Sequence, residues 1–158
     1  MYGRIRSLFP ELKGKLARSR IASVVFRNSK KRRALEGLIH PYVFDRIREE
    51  LVRARAKIVV AEIPLLFESG FHRLCDCRVV VRAPRSKVID RLLGKGFGRQ
   101  EIQERWRAQW PLGEKIRRAE FVIDNSDGLR KTRREAARVW KEIEKRERST
   151  STHAKRER

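Results

Sequence analysis

Between Lys57 and Glu68 the chain reads Lys-Ile-Val-Val-Ala-Glu-Ile-Pro-Leu-Leu-Phe-Glu, and no other stretch limits the possible folds as tightly. Ile58 to Ile63 has the length of one strand, is rich in β-branched residues and ends at Pro64. A strand with one wet face would alternate apolar and polar residues. A nearly unbroken apolar run instead suits a strand covered on both faces, as in parallel sheets flanked by helices. Ligands of such sheets bind beyond the carboxyl ends of the strands, which puts Glu62 to Gly70 at the working edge.

Two shorter apolar runs repeat the theme. Arg78-Val79-Val80-Val81 leads into Ala83-Pro84 and a helix with Val88, Ile89, Leu92 and Leu93 turned inward, ended by Gly94-Lys95-Gly96-Phe97-Gly98. Phe121-Val122-Ile123 stops at Asp124-Asn125-Ser126-Asp127-Gly128, where Asp127 or Ser126 can cap a last helix. Leu129, Ala136, Trp140 and Ile143 give that helix its buried stripe. Strands alternating with helices predict an α/β architecture with a parallel sheet. Upstream, Ile21, Val24, Val25, Leu35, Leu38 and Ile39 read as helical around a turn at Asn28-Ser29. His40-Pro41 predicts a break, because the residue before proline is pushed out of the helical region. Val43, Phe44, Ile47 and Leu51 then resume on one face. His40 reads as a junction residue rather than an acid or base, and Lys30 to Arg33 as a solvated helix start.

The stretch from about 95 to 119 differs in character. Ile102, Trp106 and Trp110 are four apart, Pro111 breaks the helix, and Leu112, Ile116 and Ala119 form a second stripe among Arg99, Arg105, Arg107, Lys115, Arg117 and Arg118. Two short basic helices between strands have the form of a lid over a phosphorylated ligand, and equally of an ordinary surface hairpin. From 145 to 158 the chain is charged and Ser/Thr-rich, with little to bury, which predicts a basic disordered tail.

The formal charge of +21, from 41 Lys+Arg against 20 Asp+Glu, attracts phosphates, nucleotides or nucleic acid without choosing among them. Its cations are spread along almost every segment, whereas clustering on one face would mark nucleic-acid binding more strongly. No apolar run approaches the roughly 18 residues of a membrane span, and Met1 to Lys15 lacks the apolar centre of a signal peptide. Cys75 and Cys77 do not make a disulfide framework, and no second Cys or His pair stands at zinc-ligand spacing. They read as reduced packing residues of a cytoplasmic protein.

In order along the chain, Gly14-Lys15-Leu16-Ala17-Arg18, Val25-Phe26, Leu35-Glu36, Ile39-His40-Pro41, Ile63-Pro64-Leu65-Leu66-Phe67-Glu68 with Gly70, Asp76 and Ala83-Pro84 form a series. Arg91-Leu92, Gln109, Pro111-Leu112-Gly113-Glu114-Lys115 and Ala119-Glu120-Phe121-Val122-Ile123-Asp124-Asn125 continue it. This series, covering roughly 4 to 143, resembles the dephospho-CoA kinase family of P-loop kinases. The resemblance implies ATP-dependent phosphorylation of the ribose 3′-hydroxyl of dephospho-CoA, the last step of coenzyme A biosynthesis, with Mg2+ accompanying ATP. It implies a P-loop kinase-like parallel sheet flanked by helices over 1–144, with a helical lid insertion at about 95–119. Carried over, Pro64, Leu65, Leu66, Phe67 and Glu68 shape the acceptor pocket; Lys95, Arg105 and Lys115 are lid contacts to phosphate; Asp124 and Asn125 border the adenine site. The bland alternatives stand beside these: Phe67 as core, Glu68 paired with a cation, Asn125 shaping a turn.

Departures from the family pattern carry weight of their own. The family's first strand, its P-loop and the aspartate proposed as general base have no counterpart here. A P-loop needs Gly, four residues, Gly-Lys-Ser/Thr, so that backbone N–H groups wrap phosphate and the hydroxyl holds magnesium. Gly94 to Gly98 follows a helix and lacks the closing Lys-Ser/Thr. Lys95 stands where a lid arginine is usual, and Glu120 where aspartate is common. The resemblance implies that the missing strand would lie between Ile58–Ile63 and Arg78–Val81, leaving a slot to be closed, left open or filled by another chain. Unpaired buried backbone groups cost about 1–3 kcal/mol each, so these residues are expected to behave as a poorly stable, inactive fragment of the kinase. Two further readings remain: a non-catalytic basic nucleic-acid-binding module with Trp106 and Trp110 as stacking surfaces, and an interaction protein whose slot accepts a partner's strand.

Overall fold

The computed structural model describes residues 2–14 and 17–156. Lys15 and Leu16, two residues of the resemblance above, lie outside the described residues, as do 157–158 of the basic tail. The chain divides into two compact units, one of Met1–Ala54 with Gln103–Gln109 and one of Arg55–Ile102 with Trp110–Arg158, where the sequence pattern had grouped 1–144 together.

The first unit is helical: α1 (Tyr2–Leu8), α2 (Arg18–Val25) and α3 (Ser29–Arg53). Phe9, Leu12 and Val25 are its buried centre, with Ile5, Leu8, Ile21, Val24 and Leu35 packed against them. Asn28 starts α3 by accepting the Lys31 N–H at 3.0 Å, the capping role that asparagine fills well. The basic run that follows is partly used in packing, since Lys31 pairs with Glu11 at 2.6 Å and lies over the Phe9 ring. The break expected at His40-Pro41 does not occur, and α3 runs through Pro41 as one helix. A proline interior to a helix removes one donor and crowds the carbonyl four residues back. That carbonyl belongs to Gly37, and His40 stacks on Phe44 at 5.7 Å across the site. The expected stripe after Pro41 is not buried either: α3 has no fully buried residue, and Val43 and Leu51 are exposed.

The second unit holds the sheet. A 3₁₀ turn (Phe71–Leu74) precedes β1 (Val79–Arg82), α4 (Arg85–Leu93), α5 (Arg99–Arg107), α6 (Leu112–Arg117), β2 (Phe121–Asp124) and α7 (Leu129–Arg156); from Gln103 onward α5 counts with the first unit. β1 and β2 pair in parallel, Val79 opposite Phe121 through Arg82 opposite Asp124. This is an α/β unit whose parallel strands are flanked by helices. Ile58–Ile63, expected as a third strand, is not one: the described sheet contains β1 and β2 alone, and Val59 and Val60 are exposed. The composition is that of a strand, but a strand exists only where a neighbour takes up its backbone groups, and among the described residues no backbone–backbone hydrogen bond involves 57 to 63.

Elsewhere the periodicity holds with small shifts. Val88, Ile89, Leu92 and Leu93 of α4 are half-buried as the spacing predicts. After Gly94 caps α4, Gly96 at φ +85° makes the tight turn, a conformation that side chains disfavour. Pro111 stands at the start of α6. On α7 the buried line is centred on Val139, not on Leu129 or Trp140, which are exposed. Gly128, whose carbonyl accepts the Lys131 and Thr132 N–H groups, sits where Asp127 or Ser126 was expected; the Asp127 carboxylate goes instead to the Lys131 ammonium at 2.6 Å. The same helix continues over 145–156, the stretch predicted to be disordered. Its Lys, Glu and Arg residues are good helix formers.

Candidate functional site

Two strands that end side by side deliver their last residues to one place. Arg82 Nη2 donates to Asp124 Oδ2 at 3.0 Å across the ends of β1 and β2, and the Asn125 N–H donates to the Arg82 carbonyl at 2.7 Å, extending the ladder by one residue. Asp124 Oδ1 accepts the Ser126 N–H at 2.8 Å. The Ser126 hydroxyl and N–H, followed by Arg82, hold the Asp124 carboxyl down from 3.8 to about 2. Asp124 is therefore a fixed anion at neutral pH, unsuited to taking up a proton there. Asn125 Oδ1 accepts the Thr132 hydroxyl at 3.0 Å, and the amide NH₂ has no protein partner among the described residues.

Two cavities open at this edge. The larger, about 390 Å³, is bordered by Arg82, Val122 and Asp124 from the strands, Ile116 from α6, and Lys131 and Glu135 from α7. The smaller, about 210 Å³, lies between Val81 and Arg82 of β1, Asn125, and Val88, Arg91 and Lys95 of α4 and its following turn. Val81 and Val122 are out of step in the ladder, so their side chains leave opposite faces of the sheet. Lys95 and Asn125, which the resemblance assigns to the phosphate and adenine sides of a nucleotide, thus border the same hollow. Arg82 and Arg91 add two more cations to its wall. Their position at a strand end and one turn before Lys95 was the available signal, and sequence reasoning passed over both as sites, along with Lys131 and Glu135.

The predicted acceptor residues form one compact turn. Phe67 is 3% exposed and its ring lies 5.3 Å from His72 and 6.4 Å from Trp110, so it is core and offers no open face. Pro64 is exposed, and Leu65 and Leu66 are half-buried. Gly70, at φ +79°, admits the left-handed step into the 3₁₀ turn. Glu68 Oε1 accepts the Trp110 N–H at 2.8 Å and the Lys115 ammonium at 2.7 Å, with both side chains only 13% exposed. Lys115, expected on phosphate, is thus held by the acceptor turn. Arg105, also expected on phosphate, lies in the first unit with its guanidinium over the Phe26 ring at 4.7 Å.

A second tie stands at the entrance to the strands. Arg78 pairs with Glu120 through its guanidinium and its backbone N–H, and also donates to the carbonyls of His72 and Cys75. Bonding to Arg78 lowers the Glu120 pKa. Burial pushes the pKa of both thiols, Cys75 and Cys77, up, which favours the protonated form at neutral pH. Among the described residues no group of three or more His, Cys, Asp and Glu could hold a metal ion. No described helix is long and apolar enough to cross a membrane.

Comparison with known proteins agrees with this architecture. The family model described as dephospho-CoA kinase matches residues 1–131. The chain is 37% identical to the dephospho-CoA kinase of Geobacillus kaustophilus over 139 residues, covering 84% of this chain and 69% of that protein. It is 37% identical to the dephospho-CoA kinase of Thermus thermophilus over 142 residues, covering 88% and 70%. Among solved structures it is similar to a Thermus thermophilus protein, with a TM-score of 0.75 and 36% identity over 90% of this chain and 76% of the other. Dephospho-CoA kinase from Campylobacter jejuni superposes with a TM-score of 0.58 and 27% identity, over 89% and 76%.

Proposed function

The chain belongs to the dephospho-CoA kinase family, and from that premise we propose that its residues serve the ATP-dependent phosphorylation of the ribose 3′-hydroxyl of dephospho-CoA in the cytoplasm. The observation that carries the reading is the 210 Å³ hollow where Arg82, Arg91, Lys95 and Asn125 meet beyond the strand ends. Phosphoryl transfer depends on positioning and on neutralising the charge spread over the phosphate oxygens. Arg91 and Lys95 supply the neutralising charge. The Asn125 amide, anchored by Thr132, presents N–H donors to a base, and Asp124, pinned by Arg82 and Ser126, braces the turn that carries it. The turn from Pro64 to Glu68 walls the acceptor side, with Phe67 as its buried anchor. Glu68 serves through Lys115: the pair ties α6 to the acceptor turn, and Lys115 reaches a phosphate only by releasing Glu68.

Among the described residues no cluster of three or more His, Cys, Asp or Glu offers a metal site, so magnesium is taken to arrive on ATP, and no step is assigned to it. Nor do the 158 residues contain Gly, four residues, Gly-Lys-Ser/Thr. The chain by itself is therefore proposed to bind nucleotide at the strand ends without turning it over. Calorimetric titration of the full chain with ATP tests the first part. Saturable binding, weakened about tenfold or more by Arg91→Ala or Lys95→Ala, is expected; no binding, or binding that ignores both substitutions, overturns it. Coenzyme A formed from ATP and dephospho-CoA by the purified chain would overturn the second part.

A further inference from the structure

α7 divides its surface sharply. At 100° per residue, Val139, Ala136, Thr132 and Ile143 fall on one side, and Val139 is 2% exposed where the helix packs on β2. Arg130, Arg134, Arg138, Lys141, Lys145 and Arg148 fall on the opposite side, all exposed, with Arg133 at its margin. Arg138 and Arg148 meet Glu135 and Glu144 at 3.4 and 3.9 Å, exposed pairs of small value. Among the described residues Arg130, Arg133, Arg134, Lys141 and Lys145 have no carboxylate within salt-bridge reach. The row spans about 27 Å from Arg130 to Arg148 at 1.5 Å per residue. Cations otherwise scattered over the chain are here concentrated on one straight face.

We infer that this face of α7 is a docking surface for the phosphate backbone of double-stranded nucleic acid, read without regard to sequence. A membrane surface is disfavoured because an interfacial helix must sink an apolar face into the bilayer, and the apolar face of α7 is already spent on the sheet. Single strands are disfavoured because their binding leans on aromatic stacking between the cations. The one Trp, Tyr or Phe on α7, Trp140, is off the row and donates its indole N–H to Glu144. A straight row of cations matches the regular charge of a duplex, where each phosphate contacted releases counterions and steepens the salt dependence.

The test is fluorescence anisotropy of the full chain against a labelled duplex DNA, a duplex RNA and a single strand of arbitrary sequence, across a range of salt. A duplex should bind more tightly than the single strand, with log K falling against log salt at a slope of about −4 to −6. Replacing Arg130, Arg134 and Lys141 by Gln should flatten that slope by about 2 to 3, while charge-keeping exchanges of Arg for Lys and Lys for Arg at the same positions preserve it. Arg46, Arg48 and Arg53, exposed on α3, provide the control: changed together to Gln they remove as much charge and should leave the slope unchanged. Equal loss in both sets would mean that net charge alone binds, and would overturn the proposal. So would tighter binding to the single strand, or binding to vesicles of anionic lipid with none to duplex.

Discussion

Glu68 spends one oxygen on two donors, and the other, Oε2, is buried without a hydrogen-bond partner among the described residues, as is His72 Nδ1 nearby in sequence. Removing the charge therefore breaks an ion pair whose two side chains are each 13% exposed. Glu68→Ala is expected to lower stability by about 2 to 3 kcal/mol, the loss of a largely buried ion pair together with the bond from the Trp110 N–H. Adding Lys115→Met to it should recover part of that loss, and denaturant melts of the single and double variants check the coupling. Strict additivity would show that the pair contributes nothing. Asp124 supplies a second case, with the sign set by its depressed pKa. A carboxylate held at about 2 in the fold, against 3.8 ordinarily, contributes stability above pH 4 that disappears as pH falls toward 2. Asp124→Asn should flatten that part of the acid limb of stability against pH. An NMR titration placing Asp124 near its ordinary value would contradict the geometry. Glu68 was legible in the sequence as an acidic residue in the right loop; its partner was not, because Lys115 lies 47 positions away and cations are everywhere in this chain.

Helical elements were legible wherever periodicity and punctuation agreed, as at Asn28, Pro84 and Pro111, and misread where one local rule was set against many neighbours. Pro41 is such a place. The pre-proline restriction predicts a boundary, yet α3 carries the residue in mid-course. Pro41→Ala should then raise stability, by up to about 3 kcal/mol if the replaced N–H bonds back to Gly37. A destabilised variant would mean that the ring itself packs. α7 offers the complementary check on burial. Val139→Ala, at 2% exposure, should cost about 2 kcal/mol. Trp140→Ala, 40% exposed, should cost less despite the larger side chain lost. The composition could not rank those two neighbours, because a stripe drawn through Trp140 and one drawn through Val139 differ by a single residue. The packing of α7 on β2 decides it.

At the scale of the whole molecule, charge and unpaired β-structure oppose each other. In the described sheet β1 pairs only with β2, so an edge of β1 is open, and Val81, Val59 and Val60 stand 57%, 46% and 76% exposed in the same unit. The apolar run at Ile58–Ile63 was legible as strand material; that it would lie outside the ladder was not, since pairing is a property of neighbours and not of composition. Its amides should exchange with solvent far faster than those of Val80 and Val81, and slow exchange across 58–63 would reveal a partner strand. Exposed edges of this kind join copies of a chain, while a charge of +21 drives copies apart. Screening removes the second force and leaves the first, because the Debye length falls from about 30 Å at 0.01 M salt to about 3 Å at 1 M. Self-association should therefore grow with salt, the reverse of the duplex binding inferred for α7. Val60→Lys, a charge placed on the unpaired segment, should suppress it more than Val52→Lys, which is also exposed but belongs to the end of α3. Light scattering across salt and concentration measures both; a chain that stays monomeric at high salt, or two variants that behave alike, would show that the open strand material is not what brings copies together.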